Sequence, residues 1–178
     1  MNEKPIQLLD RKALDRTVTR IAHEILERNK GSENLCLIGI RTRGVNLANR
    51  IRSKIKDIES IELPLGILDI TMYRDDIFKF KLPAVKRTDI PFDVNNMTIV
   101  LIDDVMHTGR TTRAAMDALM DLGRPRKIQV AVLVDRGHRE LPIHPDYAGV
   151  KYTASPEEDI LVKLKEVDNK DEVVIMRI

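Results

Sequence analysis

The sequence predicts an α/β fold in which a mostly parallel, twisted sheet is flanked by helices. Three apolar runs, at 35–40, 97–102 and 128–134, are typical of short strands that are buried on both faces. Helical patterns separate these runs, as the crossover between parallel strands requires. Each strand–helix–strand unit is expected to be right-handed, which places the helix against the sheet.

Apolar residues at helical spacing predict three helices. The first begins after Asp10, whose carboxylate can cap it, continues to about Arg28 and ends near Gly31. The second covers 45–56 and the third 110–122. The second and third helices fill the intervals between the apolar strands, as a parallel sheet requires.

The remaining segments are less regular. Residues 67–73 are strand-like, and 160–164 and 173–176 predict terminal strands. Residues 74–96 are charged, contain prolines and show no clean period, which predicts a mobile excursion. A chain of 178 residues has the length of one domain, so 1–178 is predicted to be a single domain.

Composition excludes several classes of protein. Hydrophobic residues make up 43% of the chain and charged residues 33%, with 30 basic residues, 28 acidic residues and a formal net charge of +2. No apolar run approaches the ~18 residues of a membrane span, and residues 1–5 contain no signal-peptide core. Cys36 is the single cysteine, which excludes disulfides and thiolate metal cages. We therefore expect a cytoplasmic protein with no membrane partner.

An acidic pair and a polar loop follow the second apolar run, at the strand end where parallel sheets bind ligands. Asp103 and Asp104 precede Gly109, which permits close backbone approach, and a predicted helix N-terminus, which attracts anions. Hydroxyl donors are supplied by Thr108, Thr111 and Thr112. This pattern fits a phosphorylated ribose, because carboxylates accept from sugar hydroxyls or face a hydrated cation. The alternative is structural, with the acids ending the strand and Thr111 capping the helix.

Two further polar turns follow the other strands. The turn Arg41-Thr42-Arg43-Gly44 suits a second anion, although Val45 and Asn46 stand where a P-loop requires Lys and Ser or Thr. The turn at 135–142 contains His138, a candidate base or a structural residue. The four histidines lack metal-ligand spacing, and no nucleophile triad is evident. We expect neither covalent catalysis nor a metal site built by the protein alone.

The segment 99–111 resembles the phosphoribosyl diphosphate (PRPP) motif of type I phosphoribosyltransferases. The motif residues are Ile99, Val100, Leu101, Ile102, Asp103, Asp104, Val105, Met106, His107, Thr108, Gly109, Arg110 and Thr111. Segments 42–44, 69–76 and 134–143 resemble, more narrowly, the bifunctional regulators of pyrimidine operons that are also uracil phosphoribosyltransferases. The resemblance covers nearly the whole chain. It implies the type I phosphoribosyltransferase fold, with a flexible β-hairpin loop at 74–88 over the active site.

The resemblance also implies roles for individual residues. The catalytic set is Arg43, Asp103 and Asp104, of which the two acids contact the ribose hydroxyls. Residues 107–111 hold the 5′-phosphate, whereas Thr42 and Arg43 hold pyrophosphate, often in this superfamily through a non-proline cis peptide. Backbone groups read the uracil, which lies near Val134, Asp135 and Arg136. The flexible loop contributes Arg74, Asp75, Asp76 and Arg87.

The implied reaction is attack of uracil N1 on the ribose C1 of PRPP, which gives UMP and diphosphate. Its oxocarbenium-like transition state needs positioning, charge stabilisation and exclusion of water rather than a protein nucleophile. Mg²⁺ is the implied cofactor, bound mainly through PRPP oxygens and water. The implied partners are PRPP, uracil, UMP and UTP, together with further copies of the chain in a dimer or larger homo-oligomer.

The regulatory half of the resemblance implies binding to pyr leader mRNA that depends on uridine nucleotides. The implied RNA contacts are Thr19, Arg20, His23, Arg139 and His144. Charge is polarised along the chain, since 41–56 holds six basic residues and no acid, whereas 154–178 holds seven acids and four bases. With three Tyr, three Phe and no Trp, phosphate contacts rather than base stacking should dominate RNA binding.

Two alternatives remain open. His144 and Val150 stand where the RNA-regulating relatives carry basic residues, so the chain could be a uracil phosphoribosyltransferase that has lost regulation. It could instead act on another base, such as a purine, although the loop at 135–142 resembles the uracil enzymes. His107 stands where many relatives have Tyr, a change that a loop binding through its backbone tolerates.

Overall fold

The computed structural model describes residues 5–75 and 87–177 of the chain. The elements in those ranges are β1 (Ile6–Leu9), α1 (Arg11–Asn29), β2 (Leu35–Ile40), α2 (Arg43–Glu59), β3 (Leu65–Leu68), a 3-10 helix (Thr71–Tyr73), β4 (Thr98–Met106), α3 (Arg110–Leu122), β5 (Lys127–Asp135), β6 (Tyr147–Lys151), β7 (Glu158–Lys163), α4 (Lys165–Asp168) and β8 (Glu172–Arg177). The predicted α/β architecture is confirmed.

The main sheet has the strand order β3-β2-β4-β5-β6, and each of its pairings is parallel. Its strands alternate between two apolar cores. Leu35 and Leu37 pack with α1 and α2, whereas Cys36, Ile38 and Ile40 pack with α3. Because helices cover both faces, every position of β2 is buried, which explains the unbroken apolar run. Each fully buried Leu or Ile contributes about 1.5–3 kcal/mol to folding.

A second, antiparallel sheet has the order β1-β8-β7, and we call it the small sheet. Its strands β7 and β8 are the two predicted near the end of the chain. Ile160, Val162 and Val173 carry its apolar face into the core formed with α1 and α2. The strands β1 and β6 were not predicted, because four residues are too few to show a period and β6 contains Gly149 within a mixed sequence.

The caps of α1 agree with the sequence. Asp10 Oδ1 accepts from Ala13 N at 2.7 Å, and Lys30 adopts the left-handed conformation that ends the helix before Gly31. The second helix spans Arg43–Glu59 rather than the predicted 45–56, because Arg43, Gly44, Asp57 and Glu59 add nothing to the apolar pattern. Within the described ranges, no helix is both long enough and apolar enough to cross a bilayer.

Two further predicted boundaries were wrong. The strand-like run at 67–73 divides, since β3 ends at Leu68 and Asp69 Oδ1 accepts from the amide and hydroxyl of Thr71, which starts the 3-10 turn. In contrast, β4 continues beyond 102 to Met106 and includes the acidic pair, because β5 pairs alongside it to the end. Of the predicted excursion at 74–96, residues 76–86 lie outside the described part of the chain, as does most of the predicted β-hairpin.

Candidate active site

A cavity of about 350 Å³ opens at the carboxyl ends of β2, β3 and β4. Its polar lining consists of Arg41, Thr42, Asp69, Thr71, Arg74, Asp103, Asp104 and Thr111. Parallel strands bring these chain segments to one edge of the sheet, as the order of strands and loops predicted. Sequence reasoning did not assign Asp69 or Thr71 to the site, and a polar pair directly after a strand was the available signal.

Two glycines bring the turn at 41–44 against the acidic strand. A β-carbon on Gly39 would lie 2.5 Å from Val45 Cα, and one on Gly44 would lie 2.4 Å from Ile102 O. Both distances are far below ordinary contact, so only glycine permits this approach. The peptide bond between Arg41 and Thr42 is cis. Gly44 therefore packs directly against Ile102 and Asp103, while Arg41 and Thr42 line the cavity.

The acidic pair is held by its own backbone. Asp104 N donates to Asp103 Oδ1 and Val105 N donates to Asp104 Oδ1, both at 2.9 Å. Burial, reinforced by the charge of Asp104, raises the pKa of Asp103 well above its ordinary value, and Arg74 opposes this shift. The carboxyl oxygens of the pair can accept hydrogen bonds from sugar hydroxyls.

The loop between β4 and α3 has its carbonyl groups occupied by the segment 136–141. Met106 O accepts from Arg136 N at 2.9 Å, His107 O from Arg139 Nη1 at 2.6 Å, and Thr108 O from Glu140 N at 3.0 Å. Gly109 adopts a φ of 91°, and α3 begins directly after it. Arg110 N, the first amide of α3, donates to Thr108 Oγ1 at 3.3 Å, and the dipole at this helix N-terminus attracts an anion.

The turn after β2 presents Arg41 rather than Arg43 to the cavity. The Arg43 guanidinium is bound by Asp168, with Nη2 2.8 Å from Oδ1 and Nε 3.2 Å from Oδ2. Arg41 Nη2 donates to Arg87 O at 3.0 Å, and the buried Arg41 Nε has no partner among the described residues. The structure thus brings Arg41 and Thr42 to the acidic pair, and it directs the Arg43 side chain toward α4.

The residues predicted near uracil lie at the end of β5. Val134 is fully buried, and Asp135 Oδ1 accepts from Gly137 N and Arg139 Nη2. Arg136 donates to Asp159 at 3.3 Å and to Glu158 O at 2.5 Å. Both oxygen-bonded nitrogens of Arg136 are engaged by protein, whereas its buried Nε has no partner among the described residues. The contact of these residues with uracil stays a prediction.

A second cavity, of about 330 Å³, adjoins this strand end. Its lining is His107, Arg136, His138, Ser155 and Pro156. The two imidazole rings lie edge to face with their centroids 6.4 Å apart, and His138 Nε2 is 2.7 Å from Ala154 O. Burial, then the charges of Arg136 and His138, lowers the pKa of His107, so its ring is neutral near pH 7.

The residues predicted to bind RNA are divided between surface and interior. Arg20, His23 and His144 are exposed, and Thr19 is half-buried with its hydroxyl donating to Asp15 O. The Arg139 side chain is only 12% exposed and bonds to Asp135 and to several carbonyls, which include His107 O and Ile143 O. Arg139 therefore presents little surface to an RNA, and its predicted RNA contact stays a prediction.

The remaining predicted site residues have mixed placements. Arg74, Asp75 and Arg87 are exposed near the cavity, and Asp75 pairs with Arg110, whereas Asp76 lies outside the described residues. Thr112, which was expected to supply a hydroxyl donor, is 3% exposed and is one of the buried residues of α3.

The donor set suits a metal that arrives with a substrate. Within residues 5–75 and 87–177, no three or more His, Cys, Asp or Glu side chains cluster to hold a metal ion. Asp103 and Asp104 nevertheless line one cavity, and Mg²⁺ commonly takes one or two protein carboxylates beside phosphate oxygens and water. The two carboxylates therefore fit a Mg²⁺ ion that takes most of its ligands from phosphate oxygens and water.

An acidic strand end between two anion-binding turns on a parallel sheet is the arrangement of a phosphoribosyltransferase. The family model described as Phosphoribosyl transferase domain matches residues 6–166. The hypoxanthine phosphoribosyltransferase of Trypanosoma cruzi has the same fold, with a TM-score of 0.74 at 14% identity over 97% of this chain and 96% of its own.

Curated relatives narrow this class. The chain is 55% identical over 177 residues to Bifunctional protein PyrR of Pelotomaculum thermopropionicum, covering 99% of this chain and 98% of the relative. It is 57% identical over 171 residues to Bifunctional protein PyrR of Halalkalibacterium halodurans, covering 94% and 95%. The chain belongs to the PyrR family of phosphoribosyltransferases.

Proposed function

We propose that the chain is a uracil phosphoribosyltransferase that also regulates transcription by binding pyr leader mRNA in response to uridine nucleotides. The observation that carries the enzymatic half is the acidic pair in a cavity between the turn at 41–44 and the N-terminus of α3. This arrangement suits a ribose that carries an anionic group at each end. The reaction is uracil plus PRPP to UMP plus diphosphate.

Each part of PRPP has a corresponding part of the site. Asp103 and Asp104 bind the ribose hydroxyls, and residues 107–111 bind the 5′-phosphate through amides and hydroxyls. Thr42 and Arg41 face the pyrophosphate that leaves from C1, where a guanidinium stabilises developing negative charge. Mg²⁺, carried on PRPP oxygens and water near the acidic pair, adds further charge stabilisation when it is bound.

Uracil lies at the end of β5, beside Val134, Asp135 and Arg136, with the cavity lined by His107 and His138 around it. Because the His107 ring is neutral, it adds no positive charge to that of Arg136 in this cavity. A bimolecular reaction loses entropy when its two reactants come together. Binding holds the base in contact with C1 of the ribose before the reaction, so the chemical step avoids much of this loss. No protein nucleophile is needed.

Pyrophosphate release from PRPP with Mg²⁺ and each of uracil, cytosine, hypoxanthine and orotate tests the enzymatic proposal. Uracil should be preferred, and Asp104→Asn should lower kcat/KM by roughly 100-fold, since it removes a charged group that acts on the reacting sugar. Asp117→Asn on the exposed side of α3 is the matched control and should retain activity. Preference for a purine or orotate refutes uracil as the substrate.

The regulatory half rests on the exposed basic residues of α1. Arg20 is exposed, bonds to Glu24 and Gly149 O, and lies one helical turn from the exposed His23. Titration of leader RNA with and without UMP, at several salt concentrations, tests this half. Each phosphate contact should add roughly 0.7 to the slope of log affinity against log salt for single-stranded RNA.

Arg20→Ala should weaken RNA binding and retain turnover, whereas Lys170→Ala, in the acidic end of the chain, should change neither. Active enzyme that binds no leader RNA would support the alternative in which regulation has been lost, as His144 and Val150 suggest. The proposal also includes a single domain, a cytoplasmic location and a homo-oligomer. Sedimentation of the purified chain measures the oligomeric state.

A further inference from the structure

The ion pair between Arg43 and Asp168 joins the first residue of α2 to the last residue of α4. Two nitrogens of the Arg43 guanidinium, Nε and Nη2, donate to the Asp168 carboxylate at 3.2 and 2.8 Å. This is the two-pronged geometry in which a guanidinium binds an oxyanion best. The Arg43 hydrogen bond lowers the pKa of Asp168, so the carboxylate stays ionised near neutral pH.

One end of this pair belongs to the small sheet. α4 lies in the connection between β7 and β8, and Asp168 Oδ2 also accepts from Leu164 N at 2.9 Å. Two helical turns further along α2, Arg50 contacts Glu166 and Asp171, each at 2.6 Å. Two arginines of α2 therefore fasten the same connection of the small sheet.

The other end of the ion pair belongs to the turn at 41–44. Arg43 follows Thr42, which lines the cavity, and precedes Gly44, which has no room for a β-carbon against Ile102 O. The pKa of Arg43 is raised, first by its hydrogen bond to Asp168 and also by the charge of Asp104. A shift of the Arg43 backbone would move the turn relative to the acidic pair.

We propose that Arg43 is a positioning residue and not itself a pyrophosphate ligand. It fixes the turn at 41–44 by anchoring it to the small sheet through Asp168. The Nε and Nη2 groups of Arg43, which together could bind a phosphate, already donate to Asp168. The neighbouring Arg41 lines the cavity instead. The inference rests on the proposed function, because it concerns the PRPP site of that reaction.

Asp168→Asn separates the two roles, since it releases Arg43 and leaves the arginine in place. For a positioning role, Asp168→Asn and Arg43→Gln raise the KM for PRPP by similar factors, roughly tenfold for residues in direct contact, with kcat changed less. The double variant is then no worse than either single variant, and inhibition by added pyrophosphate weakens equally in all three.

The opposite pattern overturns the proposal. If Arg43 binds pyrophosphate, Arg43→Gln weakens pyrophosphate inhibition, whereas Asp168→Asn leaves it unchanged or strengthens it by freeing the arginine. Asp168→Glu, which retains the charge, should recover part of the PRPP affinity in the positioning case. Glu62→Gln is the matched control, because it removes ion pairs to Lys56 and Arg52 at the far end of α2 and should leave the KM unchanged.

Failure of the proposed function can be told apart from failure of this inference. If the natural chain releases no pyrophosphate with uracil, the proposed function fails, and calorimetry of PRPP binding with Mg²⁺ then decides the role of Arg43. Equal losses of PRPP affinity in Asp168→Asn and Arg43→Gln support positioning, and loss in Arg43→Gln alone refutes it. If Arg43→Gln does not fold, a raised KM or Kd in Asp168→Asn supports the proposal and an unchanged or lowered value refutes it.

Discussion

Gly44→Ala tests whether the turn at 41–44 must lie directly against the acidic strand. The added β-carbon would lie 2.4 Å from Ile102 O and 3.2 Å from Asp103 Cα. Since a comfortable contact between carbon and oxygen is about 3.3 Å, the start of α2 must retreat by about 0.9 Å. Both obstructing atoms belong to the backbone of β4, so no side-chain rotation can relieve the overlap.

Two opposed effects determine the change in stability. Replacing Gly by Ala within a helix ordinarily stabilises it by up to about 1 kcal/mol. Overpacking a close contact costs about 1–3 kcal/mol, and here the strand cannot yield, so we expect a net loss of about 1–2 kcal/mol. A displacement near 1 Å at a substrate-positioning turn should also lower kcat/KM by roughly 100-fold.

Urea unfolding and steady-state pyrophosphate release measure the two effects on the same preparation. Asn46→Ala, two residues further along α2 and half-buried, is the matched control and should change stability by less than about 0.5 kcal/mol. If Gly44→Ala stabilised the chain and retained full turnover, the close approach would not be required, and the reasoning would be refuted.

Three further predictions concern buried polar groups. Because the folded pKa of Asp103 is raised, the folded state loses stability as pH rises through that value, so Asp103→Asn should raise Tm near neutral pH, give no gain below about pH 4, and lower turnover. The lowered pKa of His107 means that the natural chain should lose stability as pH falls below about 6.5, and His107→Tyr should remove that loss in a pH series of Tm values. Gln129→Leu leaves Asn29 and Tyr147 short of a buried partner and should cost about 1–3 kcal/mol in urea unfolding, whereas the exposed Asn49→Ala should cost little.

The fold was predictable wherever one chain segment carried its own periodic pattern. The predicted bounds of β2 and α3 agree with the structure, because complete burial and amphipathic spacing are local properties. β4 was predicted too short, since Asp103 and Asp104 are poor strand residues by themselves. The neighbouring β5 holds them in register, and a sequence window does not contain that partner.

The sequence predicted which chain segments converge at the site, but it did not predict the directions of their side chains. The turn at 41–44 and the loop at 103–111 follow strands, so their convergence follows from parallel topology. The destinations of the arginines depend on distant acceptors: Arg43 meets a carboxylate 125 residues away, and Arg139 turns inward to carbonyls of the loop after β4. Equal charges in the sequence therefore have different roles in the folded chain.

The occupied carbonyls of residues 106–108 give the loop a preference for one sign of charge. Carbonyl oxygens are the ligands that a bare or partly hydrated cation would need at this position. Thr108 O already accepts from Glu140 N, and His107 O already accepts from the Arg139 guanidinium, so a cation would compete with these donors. The loop that we propose for the 5′-phosphate therefore suits an anion better than a cation.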